Sequence, residues 1–63
     1  MLLTISQAEK GAFKIIISRM DDAPPDIHTH LTKTSSNIDS TDTRIVYTVP
    51  NKWDVAEIIT KYL

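Results

Sequence analysis

Ser6-Gln7-Ala8-Glu9-Lys10-Gly11-Ala12-Phe13-Lys14-Ile15-Ile16-Ile17-Ser18-Arg19-Met20-Asp21 admits two readings, and the choice between them decides the fold. Read as a helix, it opens on an S-x-x-E capping box, in which the Ser6 hydroxyl and the Glu9 carboxylate satisfy each other's backbone N–H groups. Ala8, Ala12, Phe13, Ile16, Ile17 and Met20 then share one face, three and four apart. Gln7, Lys10, Lys14, Ser18 and Asp21 take the opposite face. Two features oppose the helix. Gly11 inside it costs about 1 kcal/mol relative to Ala, and Ile15-Ile16-Ile17 is β-branched and prefers a strand. The rival is a hairpin that turns at Lys10-Gly11, with Phe13, Ile15 and Ile17 on one side and Ile16 left on the other. The two complementary stripes favour the helix.

Outward from this stretch, residues 2–5 (Leu-Leu-Thr-Ile) read as a short apolar strand. On the other side, Pro24 and Pro25 cannot continue a hydrogen-bond ladder, so they end the first helix. Residues 27–33 alternate weakly, Ile27, Thr29 and Leu31 against His28, His30 and Thr32, as in a strand. A short helical turn after the prolines, with Ile27 and Leu31 one turn apart, is the alternative. Residues 34–43 are rich in Ser, Thr, Asn and Asp with Ile38 as their only large apolar side chain, and read as a mobile connector. Arg44–Val49 is the clearest strand, β-branched and aromatic on both faces. The last helix follows, with Asn51 as N-cap and Asp54 in the acidic half of a cap. Val55, Ala56, Ile58, Ile59, Tyr62 and Leu63 form its apolar face. The expected fold is α+β: one domain over residues 1–63, with a small sheet of about three strands in the order β-α-β-β-α and two helices on one face.

A chain of 63 residues buries a limited share of its surface and usually needs a staple. With no cysteine, disulfides and Cys-based zinc sites are excluded. Helix packing, a weak His-based metal site and oligomerisation remain, and packing with self-association is favoured. The first residues carry neither a basic leader nor a long apolar run, so a cytoplasmic, non-membrane protein and a complete small gene product are expected. One glycine leaves no Gly-rich phosphate loop, and no nucleotide, hydrolase or zincin motif occurs. No cofactor and no enzymatic activity are expected.

Four constellations remain as candidate sites. Asp26, His28 and His30 would line one strand face as two imidazoles and a carboxylate, a ligand set for a transition metal. Against this stands the common case of solvated surface histidines. Lys10, Lys14, Arg19 and Arg44 are the cations a nucleic-acid face would have to gather, but the net charge of −1 and their spread along the chain count against it. Trp53, Tyr47, Ile58 and Tyr62 are candidate partner-binding residues, since aromatic anchors concentrate binding energy. Each has a competing role in the core. The hydroxyls of residues 34–43 suit a solvated linker better than a nucleophile, which needs a fixed base beside it. Surplus apolar surface on the last helix and on Arg44–Val49 points to a homodimer. The combined expectation is a small, non-enzymatic protein-binding or regulatory module of the kind phages and other mobile elements encode. Nucleic-acid and metal binding are the alternatives.

Overall fold

In the computed structural model, which describes residues 1–62, the chain is α+β with four strands in the order β-β-α-β-β-α, one strand more before the first helix than the expected β-α-β-β-α. The elements are β1 (Leu2–Gln7), β2 (Phe13–Ser18), α1 (Pro25–Thr34), β3 (Asn37–Ser40), β4 (Arg44–Val49) and α2 (Lys52–Tyr62). The four strands form one antiparallel sheet in the order β1-β2-β4-β3. The chain thus runs through the same ββα plan twice, with β2 and β4 side by side at the centre.

The stretch that reads as the first helix is a hairpin and a strand. Ile15 lies opposite Ile5 on one side and Tyr47 on the other, and Ile17 opposite Leu3 and Ile45. The capping box goes unused: Ser6 pairs with Lys14 inside the β1–β2 ladder, and a single 3-10 turn at Glu9–Gly11 closes the hairpin. Lys10 and Gly11 carry φ of 58° and 76°, so the turn lies in the left-handed region, where a glycine costs little. The Ala8 N–H reaches the Ala12 carbonyl at 2.8 Å across it. Isoleucine spacing satisfied a helix and a strand alike, and sheet pairing on both sides of β2 decides the matter for the strand. Ile16, the residue the hairpin reading leaves on the wrong side, sits on the outer face between Thr4 and Val46 and is half-buried there.

The prolines begin a helix instead of ending one. Pro25 occupies the first turn of α1, where a missing N–H leaves nothing unsatisfied and the fixed φ suits the helix. Residues 27–33 are therefore helical, and Ile27 and Leu31, one turn apart, are both buried. The expected connector at 34–43 carries β3. The Ser36 N–H meets the Thr48 carbonyl at 2.8 Å, and the Thr41 N–H meets the Arg44 carbonyl at 2.8 Å. The Thr41 hydroxyl donates to that same carbonyl at 3.0 Å and accepts from the Arg44 N–H at 3.2 Å. β4 and α2 stand where the sequence puts them. The Asn51 carboxamide oxygen caps α2 by accepting from the Trp53 N–H at 3.0 Å. Leu63, assigned to the apolar face of that helix, lies outside the described residues.

Both helices cover one face of the sheet. Ile15, Ile17, Tyr47 and Val49 meet Ile27, Leu31, Val55 and Ile58 in one buried cluster, with Leu3, Ile5, Phe13 and Ile45 packed around it. The other face, made of the even-numbered residues of β1, β2 and β4, is exposed or half-exposed throughout.

Candidate functional site

The expected strand face of Asp26, His28 and His30 does not form. In α1 a residue advances by about 100°, so side chains two apart point to nearly opposite sides. Each of the three has a separate environment. The Asp26 carboxylate pairs with Lys61 Nζ at 3.1 Å, tying the start of α1 to the end of α2. This bond, with the nearby Tyr62 hydroxyl adding to it, holds the Asp26 carboxyl below the ordinary carboxylate range and pushes Lys61 above the ordinary lysine value. The Tyr62 hydroxyl lies buried beside the pair without a bond of hydrogen-bonding geometry among the described residues. His28 Nδ1 lies 2.7 Å from the Tyr47 hydroxyl. Burial pushes the Tyr47 hydroxyl pKa up, and this contact is what satisfies the hydroxyl inside the core.

His30 is brought to residues no spacing rule connects with it. Its ring and the carboxylates of Asp54 and Glu57 offer ligand atoms all within 4.8 Å of one another. The register of the two helices explains the meeting. α1 and α2 lie antiparallel, so the pairing of Asp26 with Lys61 places His30, one turn later, beside Glu57, one turn earlier. Asp54, three residues before Glu57, shares its helix face. Asp54 and His30 are half-buried and Glu57 is exposed. His30 Nε2 is buried and has no hydrogen-bond partner among the described residues.

Two of the expected partner contacts belong to the core. Tyr47 is 0% exposed and Ile58 1%, so neither presents a surface in this chain. Tyr47 was legible as an aromatic strand residue, but its face was not, because Arg44–Val49 is apolar on both sides. Tyr62 is half-buried at the Asp26–Lys61 pair. Trp53 alone of the four is open to solvent, at 74%. It shares the outer side of α2 with the exposed Ala56 and Ile59.

The four cations divide into two pairs. Lys10 stands in the β1–β2 turn, near Lys14 at the start of β2. Arg19 follows the far end of β2, where Ser18 pairs with Arg44. The length of β2, at roughly 3.3 Å per residue, separates the pairs. Shallow depressions mark the two ends of the sheet, one lined by Ser6, Glu9, Lys14 and Thr48, the other by Arg19, Asp21, Asp42 and Arg44. Each mixes acid with base, which does not suit a polyanion.

The two sheet edges differ in kind. β3 is short, exposed along its whole length and carries Asp39. β1 is longer, continuously paired with β2 on its inner side, and its sequence Leu-Leu-Thr-Ile-Ser-Gln has neither charge nor proline. The helices pack over β2 and β4. Leu3 and Ile5, on the core side of β1, are left half-covered, and Leu2 on the outer side is 61% exposed.

No protein-family model, curated protein or solved structure matches this chain. Among the described residues no helix is long and apolar enough to cross a membrane.

Proposed function

We propose that this chain is a non-enzymatic protein-binding module that associates with a second copy of itself through β1. The observation that carries the reading is the unprotected β1 edge. A regular strand with no charge, proline or bulge presents a row of backbone donors and acceptors to any extended chain that meets it. A second β1 is a self-complementary occupant. Antiparallel pairing about a two-fold axis normal to the sheet, centred on Thr4, sets Leu3 against Ile5 of the partner copy and Leu2 against Ser6. The half-covered apolar row beneath β1 is then extended across the axis, and two small sheets become one continuous sheet. A domain this small gains the burial that its own core cannot supply.

The outer strip of α2, with Trp53 at its start, is a separate surface for a different protein. A rigid, exposed indole flanked by Ala56 and Ile59 has the composition of an interface anchor.

Charge placement at the axis tests the first contact. Thr4 is exposed and faces away from the core, so a charge there leaves the fold alone. Thr4→Lys and Thr4→Glu each place like charges across the axis, and each is expected to sediment as a monomer. Their equimolar mixture is expected to recover the dimer. Trp53→Ala leaves the dimer mass unchanged. A wild-type chain that stays monomeric at high micromolar concentration, or substitutions at Thr4 without effect on its dimer, would overturn the reading.

A further inference from the structure

We propose that His30, Asp54 and Glu57 form a three-ligand site for a divalent transition-metal ion of the zinc type, bridging α1 and α2. The site is independent of the β1 contact.

The argument runs along the helix seam. Its first rung, Asp26 with Lys61, is complete: one anion, one cation, 3.1 Å apart. The next rung, one turn along both helices, sets a histidine ring against two carboxylates, and among the described residues no lysine or arginine pairs with either acid. The ligand atoms stand within 4.8 Å of one another, yet His30 Nε2 makes no hydrogen bond to a described residue although it is buried. A ring set against two anions, with one of its nitrogens buried and orphaned, is costly unless something bridges the group. A divalent ion does so: two carboxylates balance its charge, imidazole adds a ligand that zinc and its neighbours favour, and bonds of about 2.0–2.2 Å need only modest side-chain rotation from the present spacing. Three protein ligands leave an open position for water or for a group from a partner. Asp54 and Glu57, three apart on one helix, are held on a common face, and His30 comes from the adjacent helix, so the ion would clamp the two helices together.

Zinc chloride titrated into the metal-free chain by calorimetry is the test, run on the wild type and on the Thr4→Lys chain so that ion binding and assembly are read apart. The expected result is one ion per chain with a dissociation constant in the micromolar range and a higher melting temperature with zinc. His30→Ala and Asp54→Asn are expected to weaken binding by roughly tenfold or more. Glu57→Gln is expected to weaken it while leaving the circular dichroism spectrum unchanged, because Glu57 is exposed. His28→Gln, which removes the other histidine, is expected to bind as the wild type does. Absence of saturable binding in the wild type below millimolar zinc would overturn the proposal. So would retention of full affinity by Glu57→Gln, or loss of binding in His28→Gln.

Discussion

The two ββα halves of this molecule follow one plan with unlike residues. In the first, β1 and β2 are aliphatic, the hairpin turns through a lysine and a glycine at positive φ, and a 3-10 turn at Met20–Asp22 separates β2 from α1. In the second, β3 is polar, Thr41 closes the turn by side-chain hydrogen bonds, and β4 passes almost directly into α2. Ile15 and Tyr47 face each other where the halves meet, yet one is aliphatic and the other an aromatic ring bonded to His28. What the halves share is apolar residues at alternate positions of a central strand and two apolar residues on the inner face of each helix. That much suffices for the plan. Turn chemistry and edge chemistry are free to differ, and they set what each half does at its boundary.

The centre, where both halves depend on the same contact, should yield the largest effect. Tyr47→Ala removes a fully buried ring and is expected to cost about 3–5 kcal/mol, enough to unfold a small domain at room temperature. Tyr47→Phe keeps the ring and loses the bond to His28, whose exposed imidazole turns to water instead. It should cost about 1 kcal/mol. Urea denaturation measures both. Equal losses would mean that the hydrogen bond, and not packing, holds the centre.

The edges come next. Asp39 is the one charge in β3. Asp39→Val is expected to give the second edge the character of the first, so that light scattering detects species larger than a dimer as two sticky edges link copies into chains. Unchanged scattering would show that the shortness of β3, and not its charge, protects that side.

The turns should differ more gently. Gly11→Ala is expected to cost about 1 kcal/mol through its φ of +76° alone, since an added Cβ meets nothing within 4 Å. Thr41→Val should cost a similar amount, about 1 kcal/mol, by removing the hydroxyl that holds the other turn. Thermal melts of the two variants compare backbone strain with side-chain bonding as means of closing a hairpin.

In the second half β4 and α2 are legible and β3 is not, because Asn37–Ser40 is polar and exposed and reads as a connector. Arg44–Val49 is β-branched and aromatic on both faces and reads as a strand, and Asn51 with Asp54 announces the helix that follows. The first half misled because Phe13, Ile16, Ile17 and Met20 satisfy helical spacing while Phe13, Ile15 and Ile17 satisfy strand spacing. Only pairing with β1 and β4, a long-range fact, separates them. Pro24-Pro25 is a stop signal when a helix precedes it and a start signal when a strand does. The candidate metal ligands were half legible. His30 stands out in the sequence, but strand spacing joins it to Asp26 and His28, its neighbours in sequence. Its neighbours in space are Asp54 and Glu57. The available signal was their spacing of three on a securely recognised helix, and nothing local says which element such a pair will face.

The seam between α1 and α2 supports the smallest effect. Asp26 and Lys61 are both more than half exposed, and water screens their attraction. The directions of their shifts still define a pH profile. The Asp26 carboxyl is held below its usual 3.8 by Lys61, so its stabilisation is present above that value and is lost as pH falls through the lowered one. Lys61 is raised above its usual 10.5 by Asp26, so its share is present below that value and is lost as pH rises through the raised one. Asp26→Asn is therefore expected to lower the melting temperature slightly between about pH 5 and pH 9, the plateau both directions imply, and to match the wild type in strong acid, where both chains carry a neutral side chain at position 26. A difference that persists at pH 2 would mean that Asp26 acts on the start of α1 by packing or hydrogen bonding, and that the first rung of the seam is not held by charge.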